Sequence, residues 1–303
     1  MKSESVKPKP ERFLKRYRVE AGGHFDLASV DCADTGGIDK DDADRILGDD
    51  VKRLADLQAR LYAEDKWALL IVLQGMDAAG KDSVVSHVMS GVNPQGCEVH
   101  SFKAPSAEEL KHDFMWRTTS RLPARGRIGI FNRSYYEDVL VVRLHPEMMR
   151  RERIPARLIG KNIWQERFQD IRAFERHLVR NGTVVLKFFL HVSKEEQRRR
   201  FLDRLDIPAK RWKFSMDDVR ERKHWDDYQA AYVDMINATS RPSAPWYVVP
   251  ADHKWFARLV VAAAAVEALD ALDLHFPEVG AASLKEMRNV RAALAAEAPR
   301  KGR

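Results

Sequence analysis

A glycine-rich loop that contains a lysine is the part of this 303-residue sequence best suited to chemistry. The apolar run 68–74 leads into GMDAAGKDS, residues 75–83, which places G-x-x-x-x-G-K between a buried strand and a helix. In such a loop the backbone N–H groups turn inward, the helix start adds positive partial charge, and Lys81 supplies an ammonium to phosphate oxygens. We therefore predict a phosphate-binding loop. Its predicted contacts are Gly75, Ala78, Ala79, Gly80, Lys81 and Ser83.

Two carboxylates accompany this loop. Asp77 lies within it, and Asp82 stands where a Ser or Thr hydroxyl usually contacts Mg²⁺. Both would repel a phosphate ligand unless a divalent cation lay between them, and Mg²⁺ prefers one or two carboxylates together with phosphate oxygens and water. We predict that both bind Mg²⁺, with Mn²⁺ as a substitute. The alternative is that they serve the turn and the helix N-terminus, where the helix dipole stabilises them.

A second polar motif follows the apolar run 128–131. Asn132 occupies the strand end, where P-loop folds usually present an Asp to Mg²⁺. Its carbonyl oxygen can coordinate but adds no charge, and we predict Asn132 among the residues that bind phosphate or nucleotide. Arg133 is placed to clamp a phosphoryl group during transfer. Glu137 has two interpretations, either a contact to substrate or metal or the capping-box partner of Ser134.

Ten basic residues are concentrated in residues 198–223, which we call the basic segment. Five acidic residues accompany them, so the local net charge is +5. Pro208 and Trp212 divide the segment into a helix, a loop and a second helix, and we predict a hinged lid at about 198–226. The alternative is a solvated charged face. The predicted phosphate contacts of the lid are Arg204, Lys210, Arg211, Lys213 and Arg222.

Composition limits the class of protein. Apolar residues make up 45% and charged residues 32%, as in soluble globular proteins, and the net charge of +7 predicts an anionic partner. Cys32 and Cys97 are too few for a disulfide scaffold and wrongly spaced for zinc. Neither a secretory signal nor a membrane span is evident. We expect a cytoplasmic protein that binds neither nucleic acid nor membrane.

The elements that must position these motifs alternate between short apolar runs and helix-period segments. This pattern is typical of strands buried on both faces of a parallel sheet. The predicted strands are 68–74, 99–102, 128–131, 183–192 and 246–249. The predicted helices are 49–64, 83–90, 106–120, 134–144, 156–180, 193–205, 216–239 and 254–273. Capping boxes predict helix starts at Ser106, Ser193 and Ser283.

The chain divides into three predicted parts. Residues 1–48 are predicted to form an extended N-terminal arm, because glycine pairs and scattered acids interrupt them. We expect this arm to pack on the body. Residues 49–277 form the phosphate-binding domain with its lid. Residues 278–303 form a C-terminal helical tail, which could serve packing or oligomerisation.

Three separated motifs, GMDAAGKD, FNRSYYED and DIPAKRWKFSMDD, together resemble polyphosphate kinase family 2 over about residues 50–275. The resemblance implies an α/β P-loop kinase fold like that of thymidylate kinase, with a central parallel five-stranded sheet flanked by helices and a helical basic lid. It also implies Mg²⁺-dependent, reversible phosphoryl transfer between inorganic polyphosphate and nucleotides. On this basis Asp77, Lys81 and Asp82 belong to the phosphate loop and metal site, Arg133 belongs to the second motif, and Lys210 and Lys213 with neighbouring arginines belong to the lid. The catalytic residues that we predict are Asp77, Lys81, Asp82, Arg133 and Glu137.

Two positions bear on the choice of nucleotide. Asn132 and Glu137 stand where the ADP-specific branch has Asp and Asn, so the chain resembles the branch that accepts both AMP and ADP. Adenine nucleotides are expected, with guanine as an alternative base, and the resemblance implies a homo-oligomer built as a dimer of dimers. The competing functions are an ATP-dependent nucleoside or nucleotide kinase on the same fold and a non-enzymatic polyanion-binding protein.

Overall fold

A computed structural model describes residues 10–297 of the chain. Five parallel strands form its central sheet, as predicted. The strands are β1 (Ala68–Gln74), β2 (Cys97–Ser101), β3 (Ile128–Asn132), β4 (Thr183–His191) and β5 (Trp246–Pro250). Their order across the sheet is β2-β3-β1-β4-β5. Because all neighbours are parallel, the carboxyl ends of the strands share one edge of the sheet.

The centre of the sheet is its most apolar part. All seven residues of β1 are buried, which explains why its bounds match the apolar run. Leu73 of β1 is in register with Asn132 of β3. The loops that follow these two strands therefore begin side by side.

Helices surround this sheet. Within the described residues they are α1 (Pro10–Tyr17), α2 (Lys40–Glu64), α3 (Lys81–Val88), α4 (Trp116–Thr119), α5 (Val141–Leu144), α6 (Pro146–Arg151), α7 (Ile163–Arg180), α8 (Lys194–Asp206), α9 (Met216–Glu221), α10 (Trp225–Thr239), α11 (Lys254–Asp270) and α12 (Ala281–Ala296). Helix α11 packs on α2, β4 and β5, while α7 packs on β4 and α10 on α7. No helix in this part of the chain is long and apolar enough to cross a membrane.

Helix α2 begins nine residues before the predicted start at residue 49. The Asp39 carboxylate accepts a hydrogen bond from the Asp42 backbone N–H at 2.8 Å, and this cap fixes the start at Lys40. Residues 40–48, expected in the arm, therefore belong to a helix of the body.

The predicted helix 106–120 is wrong, although its capping box forms. Ser106 and Glu109 exchange hydrogen bonds of 2.7 and 3.2 Å, but only a short 3-10 turn follows at Glu109–Lys111. The Asp113 side chain then accepts from the Met115 N–H at 2.9 Å and starts a new turn. Within the predicted range 106–120, the α-helical part is α4.

The other two predicted caps have opposite outcomes. Ser193 caps α8 by accepting from the Glu196 N–H at 3.1 Å. The start predicted at Ser283 is wrong, since α12 begins at Ala281 after Gly280. The alanines before Ser283 are good helix formers and extend the helix past the predicted cap.

Three further predicted helices are divided. The range 134–144 contains a 3-10 helix at Tyr135–Val139 before α5, 156–180 contains one at Ala156–Leu158 before α7, and 216–239 contains α9, a 3-10 turn at Arg222–His224 and α10. The first of these breaks lies at Leu140, whose backbone is not helical (φ −113°, ψ −84°).

The two ends of the described chain differ in their packing. Phe13, Leu14 and Tyr17 of α1 are buried in the core, and the Val19 N–H donates to the Trp246 carbonyl at 2.8 Å. By contrast, α12 has no buried residue. Residues 1–9 of the predicted arm and 298–303 of the predicted tail lie outside the described residues.

Candidate active site

The phosphate loop joins β1 to α3 through left-handed backbone. Gly75, Ala78 and Gly80 have φ values of 152°, 62° and 115°. A Cβ on Gly75 would lie 2.8 Å from the Leu190 carbonyl oxygen, so only glycine fits this position. The conformation of Ala78 is uncommon for a residue with a Cβ, and such strain persists only where the surroundings impose it.

This loop forms one wall of a cleft of about 850 Å³. The residues after β2 and β3, the basic segment and the start of α11 form the other walls. The predicted site residues that line the cleft are Asp77, Ala78, Ala79, Gly80, Lys81, Asp82, Ser83, Asn132, Arg133, Arg204, Lys210 and Lys213. Those that do not line it are Gly75, Glu137, Arg211 and Arg222. One cleft thus joins both strand-end motifs to the basic segment.

Lys81 is folded back onto the loop. Its side chain is 8% exposed, and its ammonium donates to the carbonyl oxygens of Gly75 at 2.6 Å and Met76 at 3.2 Å. Burial, helped by the Arg133 charge, lowers the pKa of Lys81 to about 8, although nearby carboxylates oppose this shift. The ammonium is therefore poorly compensated, and a phosphate anion would stabilise its charge.

The loop carboxylates each contact one polar side chain in the described structure. Asp77 Oδ1 accepts from Arg133 Nη2 at 2.6 Å, and Asp82 Oδ1 accepts from Asn132 Nδ2 at 2.7 Å. The strand-end motif after β3 therefore orients both acids of the phosphate loop. Ser83 Oγ, one position further, accepts from Arg258 Nη2 at 2.8 Å.

Glu137 faces Arg133 instead of closing a capping box. Its carboxylate lies 3.6 Å from Arg133 Nη1, and Glu137 is the largest cause that raises the pKa of the guanidinium. Ser134 does cap the following turn, but its hydroxyl accepts from the Tyr136 N–H at 3.2 Å. Glu137 thus reaches the cleft only through Arg133.

A buried network anchors the backbone after Arg133. The Tyr135 and Tyr136 hydroxyls donate to Glu175 Oε1 at 2.9 and 2.7 Å. Lys187, which is fully buried in β4, donates to Glu175 Oε2 at 2.6 Å. The second motif is therefore fixed to the core of the sheet.

Two cations of the basic segment form ion pairs with acidic residues of the same segment. Arg204 pairs with Asp218 at 2.8 Å, and Lys210 pairs with Asp203 at 3.0 Å. All four residues line the cleft. A polyanion could exchange with these carboxylates for the same cations.

The remaining predicted members of the segment differ in their surroundings. Arg211 donates to the Leu205 carbonyl at 3.0 Å, and Lys213 lies 5.0 Å from the ring centre of the exposed Trp212. Arg222 donates to the side chain of Gln197 at 2.8 Å. Of these three cations, only Lys213 faces the cleft.

Comparisons with known proteins agree with this geometry. The family model of polyphosphate kinase 2 (PPK2) matches residues 37–277. The chain belongs to the polyphosphate kinase 2 family. It is 50% identical over 91% of its length to an ADP-polyphosphate phosphotransferase of Rhodopseudomonas palustris, of which it covers 96%. It is 45% identical over 90% of its length to an AMP/ADP-polyphosphate phosphotransferase of Meiothermus ruber, of which it covers 98%.

A solved structure extends the agreement to the fold. The crystal structure of polyphosphate kinase 2 from Arthrobacter aurescens TC1 superposes with a TM-score of 0.83 at 39% identity, and the match covers 96% of this chain and 98% of that one. The P-loop kinase fold predicted from the motifs is confirmed.

The donor set of this polyphosphate kinase 2 family member fits a magnesium ion held partly by substrate. Asp77 and Asp82 line the same cleft beside the phosphate loop. No group of three or more His, Cys, Asp or Glu side chains with metal-binding geometry occurs within residues 10–297. Two carboxylates suffice for Mg²⁺, because phosphate oxygens and water complete its shell.

Sequence reasoning missed two lysines of the cleft, Lys103 and Lys254. Lys254 is the first residue of α11, and burial, with Arg200 and Lys210 nearby, lowers its pKa. A signal was available, because Lys103 and Lys254 follow β2 and β5 and strand ends meet at one edge of a parallel sheet.

Proposed function

We propose that this chain transfers a phosphoryl group reversibly between inorganic polyphosphate and adenine nucleotides, accepting both AMP and ADP. The observation that carries the proposal is that the phosphate loop, Arg133 and the basic segment share one cleft. A nucleotide's phosphates need only part of that basic surface. A polyphosphate chain, with roughly one negative charge per unit, would use its full extent.

The transfer exchanges one phosphoanhydride bond for another. A terminal phosphate oxygen of AMP or ADP attacks the terminal phosphorus of polyphosphate and forms a new P–O bond. The P–O bond to the next unit breaks, and the shortened polyphosphate leaves with the electron pair on its oxygen. Since the nucleophile is already anionic near neutral pH, no strong general base is required. Positioning and charge neutralisation dominate such reactions.

The residues of the cleft supply those two contributions. Lys81 and the loop N–H groups hold phosphate oxygens, and Arg133 clamps the phosphoryl group during transfer. Asp77 and Asp82 would hold Mg²⁺, which supplies positive charge between the two polyanions. Lys210 and Lys213 hold the polyphosphate chain from the basic segment, which acts as a lid.

The nucleotide range is the finer part of the proposal. The relative from Rhodopseudomonas palustris is named for ADP alone, whereas that from Meiothermus ruber is named for AMP and ADP. Support for the broader range comes from Asn132 and Glu137, which resemble the branch that accepts both. Preference for adenine over guanine and assembly as a dimer of dimers stay predictions.

The test is nucleotide product analysis with Mg²⁺, long-chain polyphosphate and either AMP or ADP. We expect ADP and ATP from AMP, and ATP from ADP. ATP from ADP alone would restrict the proposal to ADP. If polyphosphate were inert while ATP phosphorylated a nucleoside or nucleotide, the ordinary kinase would replace the proposal.

A further inference from the structure

Two side chains of α8, which is distant in sequence from the phosphate loop, donate hydrogen bonds to the backbone of that loop. Gln197 Nε2 donates to the Asp77 carbonyl at 3.0 Å, and Arg200 Nη1 donates to the carbonyls of Ala78 and Ala79, both at 2.8 Å. Gln197 is 1% exposed and Arg200 4% exposed. Three consecutive loop carbonyls are thus fixed by two buried side chains of one helix.

This arrangement determines where the loop N–H groups point. In a trans peptide the carbonyl and the next N–H point in opposite directions. Holding the Asp77 and Ala79 carbonyls against α8 therefore turns the N–H groups of Ala78 and Gly80 away from that helix. Both residues line the cleft. The contacts also account for the left-handed backbone of Ala78, because they impose it from outside.

Arg200 has no donor left over for substrate. Its Nη2 donates to the carbonyls of Ala251 at 2.6 Å and Asp252 at 3.0 Å, and its Nε donates to Glu196 at 2.7 Å. The guanidinium therefore ties the phosphate loop to the turn between β5 and α11. Although Arg200 belongs to the basic segment by sequence, its hydrogen bonds hold the backbone of the phosphate loop in place.

Arg222 extends these contacts to the far end of the basic segment. Its Nη1 donates to Gln197 Oε1 and to the Lys194 carbonyl, both at 2.8 Å. A continuous chain of hydrogen bonds thus runs from Arg222 through Gln197 to the Asp77 backbone. The carboxylate of the same residue, Asp77, accepts the hydrogen bond from Arg133.

We infer that Gln197 and Arg200 are positioning residues that shape the phosphate loop, and that Arg222 couples the loop to the basic segment through Gln197. The kinetic part of this inference rests on the proposed transfer reaction. The structural part does not, because the contacts exist in the chain alone. Arg222 acts here through Gln197, in contrast to the direct phosphate contact predicted from its sequence position.

Hydrogen exchange tests the structural part without any substrate. We expect amides 76–81 to exchange about fivefold faster or more in Gln197→Met and Arg222→Met. The reason is that the loop opens more readily once these side-chain hydrogen bonds are lost. Gln58→Met, which also removes a buried glutamine, and Arg45→Met, which removes an exposed arginine, serve as controls. Unchanged exchange of 76–81 in both test variants would overturn the inference. Arg222→Met keeps the test decisive if Gln197→Met fails to fold.

A double-mutant cycle tests the coupling. We expect Gln197→Met and Arg222→Met each to lower kcat with ADP about tenfold, with KM for polyphosphate changed less than about twofold. The double variant should lose no more than either single variant, because both break one chain. Multiplied losses, or a raised KM for Arg222→Met at unchanged kcat, would contradict the coupling. If the wild-type chain transferred nothing, the proposed function would fail, while hydrogen exchange would still decide the inference.

Discussion

Arg133 and Asp77 join the two strand-end motifs by a charged hydrogen bond of 2.6 Å between Nη2 and Oδ1. Arg133 follows β3 in a left-handed conformation (φ 65°), and Asp77 lies in the loop after β1. Glu137, the largest cause, raises the pKa of the guanidinium, so Arg133 stays charged. A transferring phosphoryl group would meet a cation that two carboxylates already orient.

Replacing Arg133 should slow the chemical step. We expect Arg133→Met to lower kcat about a hundredfold or more, because a donor aimed at the charge of the transition state is lost. The KM for ADP should change much less. Steady-state kinetics with polyphosphate measure both. Arg143→Met, which loses a guanidinium that pairs with Asp234 outside the cleft, is the control. A kcat within about twofold of wild type would remove Arg133 from the reaction.

The lowered pKa of Lys81 predicts a pH dependence of binding. Its value of about 8 means that the ammonium loses its proton as the pH rises through that value. Because only the charged form attracts phosphate, KM for polyphosphate should rise between about pH 7 and about pH 9.5. Lys254→Met should retain this rise, although burial lowers the pKa of Lys254 as well. A KM that does not change with pH in the wild type would contradict the assignment to Lys81. So would a Lys254→Met variant whose KM no longer rises with pH.

Asp82→Asn tests the proposed magnesium ligand. The substitution removes the charge but keeps an oxygen for the hydrogen bond from Asn132. We expect the Mg²⁺ concentration for half-maximal rate to rise about tenfold or more. Asp227→Asn, at an exposed position of α10, is the matched control. An unchanged Mg²⁺ titration would leave Asp82 with a structural role at the start of α3.

The buried pair of Lys187 and Glu175 predicts a large effect on stability. Lys187→Met should lower the free energy of unfolding by about 3–5 kcal/mol, because it leaves an uncompensated buried carboxylate. Adding Glu175→Gln should recover part of the loss, since both charges are then gone. Urea denaturation measures each variant. A double variant less stable than Lys187→Met would show that the pair does not act in this way.

Most of the sheet could be predicted from the sequence because β1, β3, β4 and β5 are mostly buried. Apolar runs predict these four strands, and the predicted bounds of β1 match the structure to the residue. The edge strand β2 has no buried residue, and its bounds differ by one or two residues from the predicted 99–102. The helices were harder to bound, since local side-chain hydrogen bonds start and end them. Asp39 extends α2, and Asp113 interrupts the predicted helix 106–120.

The cleft could be predicted in part. Motifs that are contiguous in sequence, such as the phosphate loop and Asn132-Arg133, can be assigned to one cleft from the sequence. The reason is that the ends of parallel strands meet at one edge of the sheet. The roles of the basic residues could not be assigned, because charge alone does not tell which face of α8 a side chain occupies. Arg200 and Arg204 lie in one basic run and both line the cleft, yet Arg200 donates its hydrogen bonds to the phosphate loop, whereas Arg204 pairs with Asp218.

Lys81→Ala is the sharpest test of whether the cleft at the phosphate loop performs the transfer. The measurement is ATP formed from ADP, Mg²⁺ and polyphosphate by wild type and variant, with circular dichroism to confirm the fold. We predict no detectable ATP from a folded variant, because Lys81 is the cation of the phosphate loop and lines the cleft. Near-normal turnover by folded Lys81→Ala would show that the phosphate loop does not take part in the transfer.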